Sequence, residues 1–314
     1  MDALKNLELP IGPVVEGVVD GIQDNFEPVL DGIAAAVGFV TDNLEGLFLG
    51  IPPVVFALIV VAIGLVRVGW RFALFAGAAL VVVMGMDLWA ETVSTMSLVI
   101  ASSLFAMAVG FPIGIAMAKN NVVEAVVRPI LDLMQTMPPF VYLIPAAMFF
   151  GLGKVPGAIA TVIFAMPPAV RLTNLGIRQV SEEHVEAGLA FGCTPRQLLF
   201  KVQLPLAKPA IMAGVNQTIM LALSMVVIAS MIGAGGLGNT VLTGINRLNI
   251  GMGFEGGLGV VILAIILDRI TQSFGASAAA RTSLLRRAAE ALRARLPGSG
   301  GTAADSPAAK RAAE

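Results

Sequence analysis

The charges of this chain stand at the edges of long uncharged runs, and that pattern constrains its fold more than any motif does. Uncharged stretches cover 46–66, 72–86, 92–118, 133–153, 155–170 and 209–246, and a last apolar run at 256–280 is interrupted only by Asp268 and Arg269. A helix needs roughly 20 residues to cross the hydrocarbon core of a bilayer. Runs of this kind, repeated, predict a polytopic all-α membrane protein. The composition agrees, with 57% of residues hydrophobic and 13% charged, where a soluble domain carries about 25% charged residues. The single cysteine, Cys193, excludes an internal disulfide and a cysteine-based zinc cluster; the single histidine, His184, excludes an H-E-x-x-H metalloprotease. A net charge of −1 gives no reason to expect a nucleic-acid partner. No cleavable signal is read before the first apolar run.

We read seven spans, the short runs 72–86 and 155–170 being completed by Arg71 and Arg171, whose side chains reach the interface. Lys/Arg bias sets the orientation. Residues 1–50 hold nine acids and one base, Lys5, whereas the loops at 67–71, 119–132 and 171–208 are rich in Arg and Lys. The tail after 280 holds seven bases against three acids. Seven spans put all these basic segments in the cytoplasm, with the N-terminus outside and the C-terminus inside. The expected organisation is an extracytoplasmic amphipathic helical segment at 1–45, a transmembrane domain at 46–280 and a cytoplasmic basic helix with a polar tail at 281–314. In the first of these, Val15, Val18, Val19, Ile22, Phe26, Val29 and Ile33 recur at helical spacing while Glu16, Asp20, Asp24, Glu27 and Asp31 take the other face. That segment is expected to lie along the outer surface or to pack on the spans.

One polar stretch between the spans, 181–205, reads as a helix–turn–helix knob. Ser181 is placed to cap a helix whose first turn carries Glu182 and Glu183. Gly192 supplies a left-handed stop. Thr194, Pro195 and Gln197 then form a capping-box start for a second helix, which Leu204–Pro205 is expected to end before Pro209 opens the next span. Neither helix is long enough to cross a bilayer.

Glu186-Ala187-Gly188, three residues, Gly192, nine residues, then Val202-x-Leu204-Pro205 resembles the E-A-A–x₃–G–x₉–I–x–L–P signature of permease subunits of ABC importers. Gly188 stands where that pattern has alanine, and Val202 where it has isoleucine. The segments MQTMPPFVYLIPAAMFFGLGKVPG (134–157), FAMPPAVRLTNLGIRQV (164–180) and FKVQLPLAKPAIMAGVNQTIMLALSMVVIASMIGAGGLG (200–238) are similar to permeases of glycine betaine/proline betaine importers, a group that includes choline and carnitine systems. The likeness covers roughly residues 45–275. It implies a type I ABC importer permease fold and a homodimeric pore set in membrane lipid. It also implies two ATPase subunits docked on the knobs, carrying ATP and Mg²⁺, and a periplasmic substrate-binding protein. The coupling role it implies falls on Glu186, Ala187, Gly188, Gly192, Leu204 and Pro205.

This chain contains no G-x-x-x-x-G-K-[ST] phosphate cradle, so energy must come from a partner, and no bound cofactor is expected. Gly233, Gly235 and Gly238 fit G-x-G-x-x-G, but they follow a helix-length apolar run rather than a strand. Gly233, Gly235, Gly236 and Gly238 are read either as part of an outer gate or as a packing turn. Polar or soft groups in the spans are candidates for the translocation path: Gln135, Thr136, Tyr142, Asn216, Met220 and Ser224. The alternative for the polar ones is interhelical hydrogen bonding. Pro138–Pro139 and Pro167–Pro168 are expected to break or kink their helices. The scarcity of intramembrane acids speaks against an ion-coupled secondary transporter.

Overall fold

The computed structural model describes residues 11–275; the segment 1–10 and the predicted basic helix and tail at 281–314 lie outside them. Twelve α-helices follow one another, and no strand occurs among the described residues: α1 Ile11–Leu49, α2 Pro53–Arg67, α3 Trp70–Gly85, α4 Trp89–Lys119, α5 Asn121–Thr136, α6 Pro139–Phe150, α7 Lys154–Arg178, α8 Glu182–Ala190, α9 Pro195–Gln197, α10 Leu204–Ala229, α11 Gly236–Asn246 and α12 Ile250–Gly275. Five continuous helical stretches are long and apolar enough to cross a bilayer, or six if the bent pair α5–α6 counts as one crossing. The expected count of seven is therefore not reached by length. α2 and α3, with 15 and 16 residues, reach only about 22–24 Å at 1.5 Å per residue against a core of about 30 Å.

The first difference from the sequence reading is α1. It continues past the expected 45/46 boundary to Leu49, because nothing before Gly50 stops it. The break comes where Pro52 (φ −52°, ψ 136°) directs the chain into Pro53, a proline at the start of α2 whose missing N–H needs no partner there. Val37 and Thr41 of α1 are buried, and Glu45 forms an ion pair with Lys154 at the start of α7. Val19–Leu49 also qualifies as a crossing helix by length and composition, although the sequence reading placed it outside the spans.

α7 is the centre of the bundle, packed between α4 and α10. Small residues make this possible, since membrane helices associate through close backbone approach rather than through a hydrophobic driving force. Gly114 of α4 lies against the Val170 carbonyl and Thr173, and Gly214 of α10 lies against Leu172 and the Pro168 carbonyl. Ser102 on α4 donates to the Ala158 carbonyl of α7 at 3.3 Å. Held on both sides, α7 runs unbroken through Pro167 and Pro168, so these prolines do not break the helix as expected. Neighbouring helices can accommodate the backbone groups that a membrane-helix proline frees. Pro138–Pro139 does break its run: α5 and α6 meet at 102°. The end of α7 is tied to α4 and α5 by Arg178, which donates to the Met117 carbonyl at 2.7 Å and pairs with Glu124 at 2.8 Å. The hairpin α2–α3 packs through Val60, Ala76, Leu80 and Val83 on Ile262 and Ile266 of α12.

Candidate functional site

The knob between α7 and α10 is built from three local devices. Ser181 has the extended backbone of an N-cap (φ −60°, ψ 143°), but its hydroxyl meets Nδ1 of His184 rather than a backbone N–H. The expected side-chain cap is therefore absent. α8 stops at Gly192, whose φ of +75° is left-handed, while Cys193 N–H donates to the Gly188 carbonyl at 3.0 Å. This is the six-to-one bond of a glycine-terminated helix. Thr194 and Gln197 form the capping box in full: Thr194 N–H donates to Gln197 Oε1 at 2.9 Å, and Gln197 N–H to Thr194 Oγ1 at 3.3 Å.

After Gln197 the structure departs from the sequence reading. The helix does not end at Leu204–Pro205. It widens to an i→i+5 turn over Leu198–Gln203 and continues directly into α10. In a regular α-helix Pro205 would leave the Lys201 carbonyl without its donor and press its ring against it. The wider turn, in which Leu204 N–H donates to the Leu199 carbonyl, re-registers the chain by one residue before the proline. The knob is thus the foot of a transmembrane helix rather than a separate pair of short helices. Leu199, 3% exposed, anchors that foot against Ile177 of α7 and Ala207 of α10, with Ile115 and Ala118 of α4 alongside.

Gly188 is the only buried member of α8, and a Cβ there would lie 2.8 Å from Leu198 Cδ1 and 3.5 Å from Val202 Cγ2. Both departures from the signature, Gly188 and Val202, therefore fall at one contact between α8 and the foot of α10. Glu186 and Ala187 are exposed, Leu204 is half-buried and Pro205 is exposed. The sequence reading missed Phe191, 90% exposed, and Leu189, 54% exposed, at the turn, with Phe200 at 63% nearby. Apolar side chains in an otherwise polar stretch were the available signal.

The glycine segment after α10 is a close-packed turn. A short 3₁₀ stretch, Ser230–Ile232, leads to Gly233 (φ +87°), and Ala234 is 2% exposed. Ile232 accepts from Gly153 N–H at 2.8 Å, and Leu237 N–H donates to Thr95 Oγ1 at 2.8 Å. Gly236 lies against Thr95, and Gly238 against the Val226 backbone. The turn thus joins the ends of α4, α7 and α10. The element before it is helical, which leaves the G-x-G-x-x-G spacing without the strand that dinucleotide binding requires.

The candidate path residues separate into two sets on different elements. Met220 and Ser224 are exposed on α10 and Asn216 is half-buried beside them; Ser224 donates back to the Met220 carbonyl at 3.0 Å. Gln135 and Thr136 are exposed at the end of α5, just before the bend. Tyr142 does not stand on either surface. It is 7% exposed, packed with Ala160 and Met225, and its hydroxyl donates to the Met134 carbonyl across the α5–α6 bend. Its place is that of a pin for the bend.

Residues 110–280 match the family model described as "Binding-protein-dependent transport system inner membrane component". That span runs from the middle of α4 through the bend, the knob and the glycine turn, and it is more than half of the chain. The chain belongs to this family. It is 50% identical to the glycine betaine/carnitine transport permease protein GbuB of Listeria monocytogenes over 86% of this chain and 97% of that one. It is 46% identical to the glycine betaine/proline betaine transport system permease protein ProW of Escherichia coli, over 90% of this chain and 79% of that one. An inward-facing structure of the MetNI methionine ABC transporter superposes with a TM-score of 0.53 at 23% identity, covering 61% of this chain and 94% of that one. The fold is therefore that of a type I ABC importer permease, as the signature in the knob implied. As an inner-membrane transport component the chain is a multi-pass membrane protein.

Proposed function

We propose that this chain is the transmembrane permease subunit of an ATP-driven importer for glycine betaine, proline betaine and similar compatible solutes. It works as a homodimer, with the knob on the cytoplasmic side, the N-terminus outside and the C-terminus inside. Two ATPase subunits carrying ATP and Mg²⁺ dock on the two knobs, and a periplasmic binding protein delivers the solute. The observation that carries this reading is the knob itself, locked by Gly192 and the Thr194 box, tipped by Phe191, and continuous with α10. A ring exposed to this degree in a polar turn fits a pocket on a partner. Because the foot of α10 is anchored at Leu199 against α4 and α7, displacement of the knob moves the central helices together. ATP binding draws the two knobs toward each other and opens the path outward; hydrolysis returns it inward. The glycine turn at Gly233–Gly238, which joins three helix ends, serves in this reading as the outer gate.

Uptake of labelled glycine betaine tests the reading, in salt-stressed cells lacking other betaine transporters and expressing the chain with its ATPase and binding protein. Uptake that resists excess choline is the expected result. Uptake abolished by modest choline would reassign the cargo, and no uptake of either would remove the cargo assignment. The docking role of the knob is tested separately by Phe191→Asp. Loss of an aromatic anchor of this kind costs about 2 kcal/mol or more, so recovery of the ATPase with the tagged permease is expected to fall at least about tenfold. Unchanged co-purification would show that Phe191 lies outside the contact.

A further inference from the structure

α10 turns a polar stripe out of its own bundle. Gln217, Met220 and Ser224 are exposed along it. Asn216 lies eight residues beyond Lys208, about 12 Å along the helix at 1.5 Å per residue and so within a core about 30 Å thick. Amide groups turned toward acyl chains at that depth would go without hydrogen-bond partners at a cost of several kcal/mol each. The stripe therefore faces water or protein.

Beside it, between α10 and the last turn of α12, lies a groove of about 510 Å³, walled by Met212, Asn216, Gln217, Met220 and Gln272 among others. That volume is in the range of small-molecule sites. Asn216 Oδ1 is buried and has no hydrogen-bond donor. Gln272, which lines the groove, spends its amide nitrogen on the two Asp268 carboxylate oxygens, at 2.8 and 2.9 Å. The exposed Gln217 amide, two polarisable thioethers and a carboxylate one turn behind make a wall rich in electrons. Such a wall suits an organic cation without N–H donors, for which full hydrogen bonding is not required. The cargoes that name the relatives, glycine betaine, proline betaine and carnitine, share a quaternary nitrogen and differ in what is attached to it.

We propose that this groove holds the quaternary ammonium head of the cargo during passage, with the Gln217 amide and the Met212 and Met220 thioethers against it; the proposal rests on the importer reading above. The test is the reaction of Met220→Cys with a trimethylammonium-bearing methanethiosulfonate in inside-out vesicles containing the whole transporter, followed by site-resolved mass spectrometry so that Cys193 is counted apart. Leu74→Cys, on an exposed apolar position of α3, is the lipid-facing reference. Position 220 is expected to react at least about tenfold faster than position 74, and to be slowed several-fold by either glycine betaine or carnitine. Reaction no faster than at position 74 would show that the stripe is shut off from water and overturn the proposal. Reaction that neither solute slows would overturn it as well. Glycine betaine uptake by the unsubstituted transporter, measured in the same membranes, reports on the importer reading independently.

Discussion

Gly192→Val is expected to leave ATP hydrolysis by the partner ATPase running while solute uptake falls at least about tenfold. The reason is conformational, since a Cβ at this position meets nothing within 4 Å. At φ +75° an L-residue costs roughly 1–2 kcal/mol, and a β-branched one more. The chain relieves that strain by rotating the peptide between α8 and Thr194, which gives up the bond from Cys193 N–H to the Gly188 carbonyl. α8 then loses its fixed angle to the foot of α10, and with it the rigidity a lever needs. One to two kcal/mol in the coupled conformation corresponds to about a 5- to 30-fold change in its population. Gly192→Asn serves as the control, because asparagine tolerates the left-handed region, and it is expected to retain most of the uptake. The measurement is the ratio of solute moved to ATP hydrolysed in proteoliposomes. A valine variant with the normal ratio would show that the turn is not part of the coupling path.

Much of this knob was legible because its signals are local. A left-handed glycine and a Thr-Pro-x-Gln start specify backbone geometry from neighbours within four residues, and both were found where the sequence placed them. Pro205 misled because it is also a local signal, and its usual effect was cancelled by a wider turn held in place by Leu199 among Ile177, Ala207 and α4. Ile177 and the α4 residues Ile115 and Ala118 among those partners are far from it in sequence. The same distinction explains the prolines in the spans. Pro138–Pro139 and Pro167–Pro168 look alike in the sequence, but α7 is packed between α4 and α10 and stays continuous, whereas the α5–α6 run is broken. Tyr142 was grouped with the path as an aromatic in an apolar run. Its hydroxyl instead reaches back to Met134, a contact that exists only because of the bend. The count of spans differs for another reason: hydropathy finds apolar runs, but α2 and α3 are cut short by Pro52–Pro53 and by the turn at Arg67–Trp70.

Gly114→Val is expected to remove the folded protein from the membrane. A Cβ on Gly114 would stand 2.6 Å from the Val170 carbonyl oxygen and 2.8 Å from Thr173 Cβ. The first of these is backbone of a helix that α10 holds from behind, so it cannot step aside as a flexible side chain would. The remaining way to fit the valine is to part α4 from α7. Overpacking of this sort costs typically 1–3 kcal/mol and sometimes more, and here a parting of even 1 Å also forfeits a quarter to a half of the dispersion energy at each atom pair along the seam. Gly110, Met117, Val170 and Ala169 all lie on that seam, so the loss is not confined to one residue. Gly257→Ala supplies the comparison, because a Cβ there meets nothing within 4 Å and Gly-to-Ala in a helix interior gains roughly 0.5–1 kcal/mol. Heating detergent-purified protein and following the monodisperse fraction should rank the alanine variant at or above the parent. The valine variant should be lost at or below ambient temperature. A Gly114→Val protein that survives heating like the parent would mean that α4 and α7 can separate without cost. The central position of α7, through which the knob is taken to move the other helices, would then have to be given up.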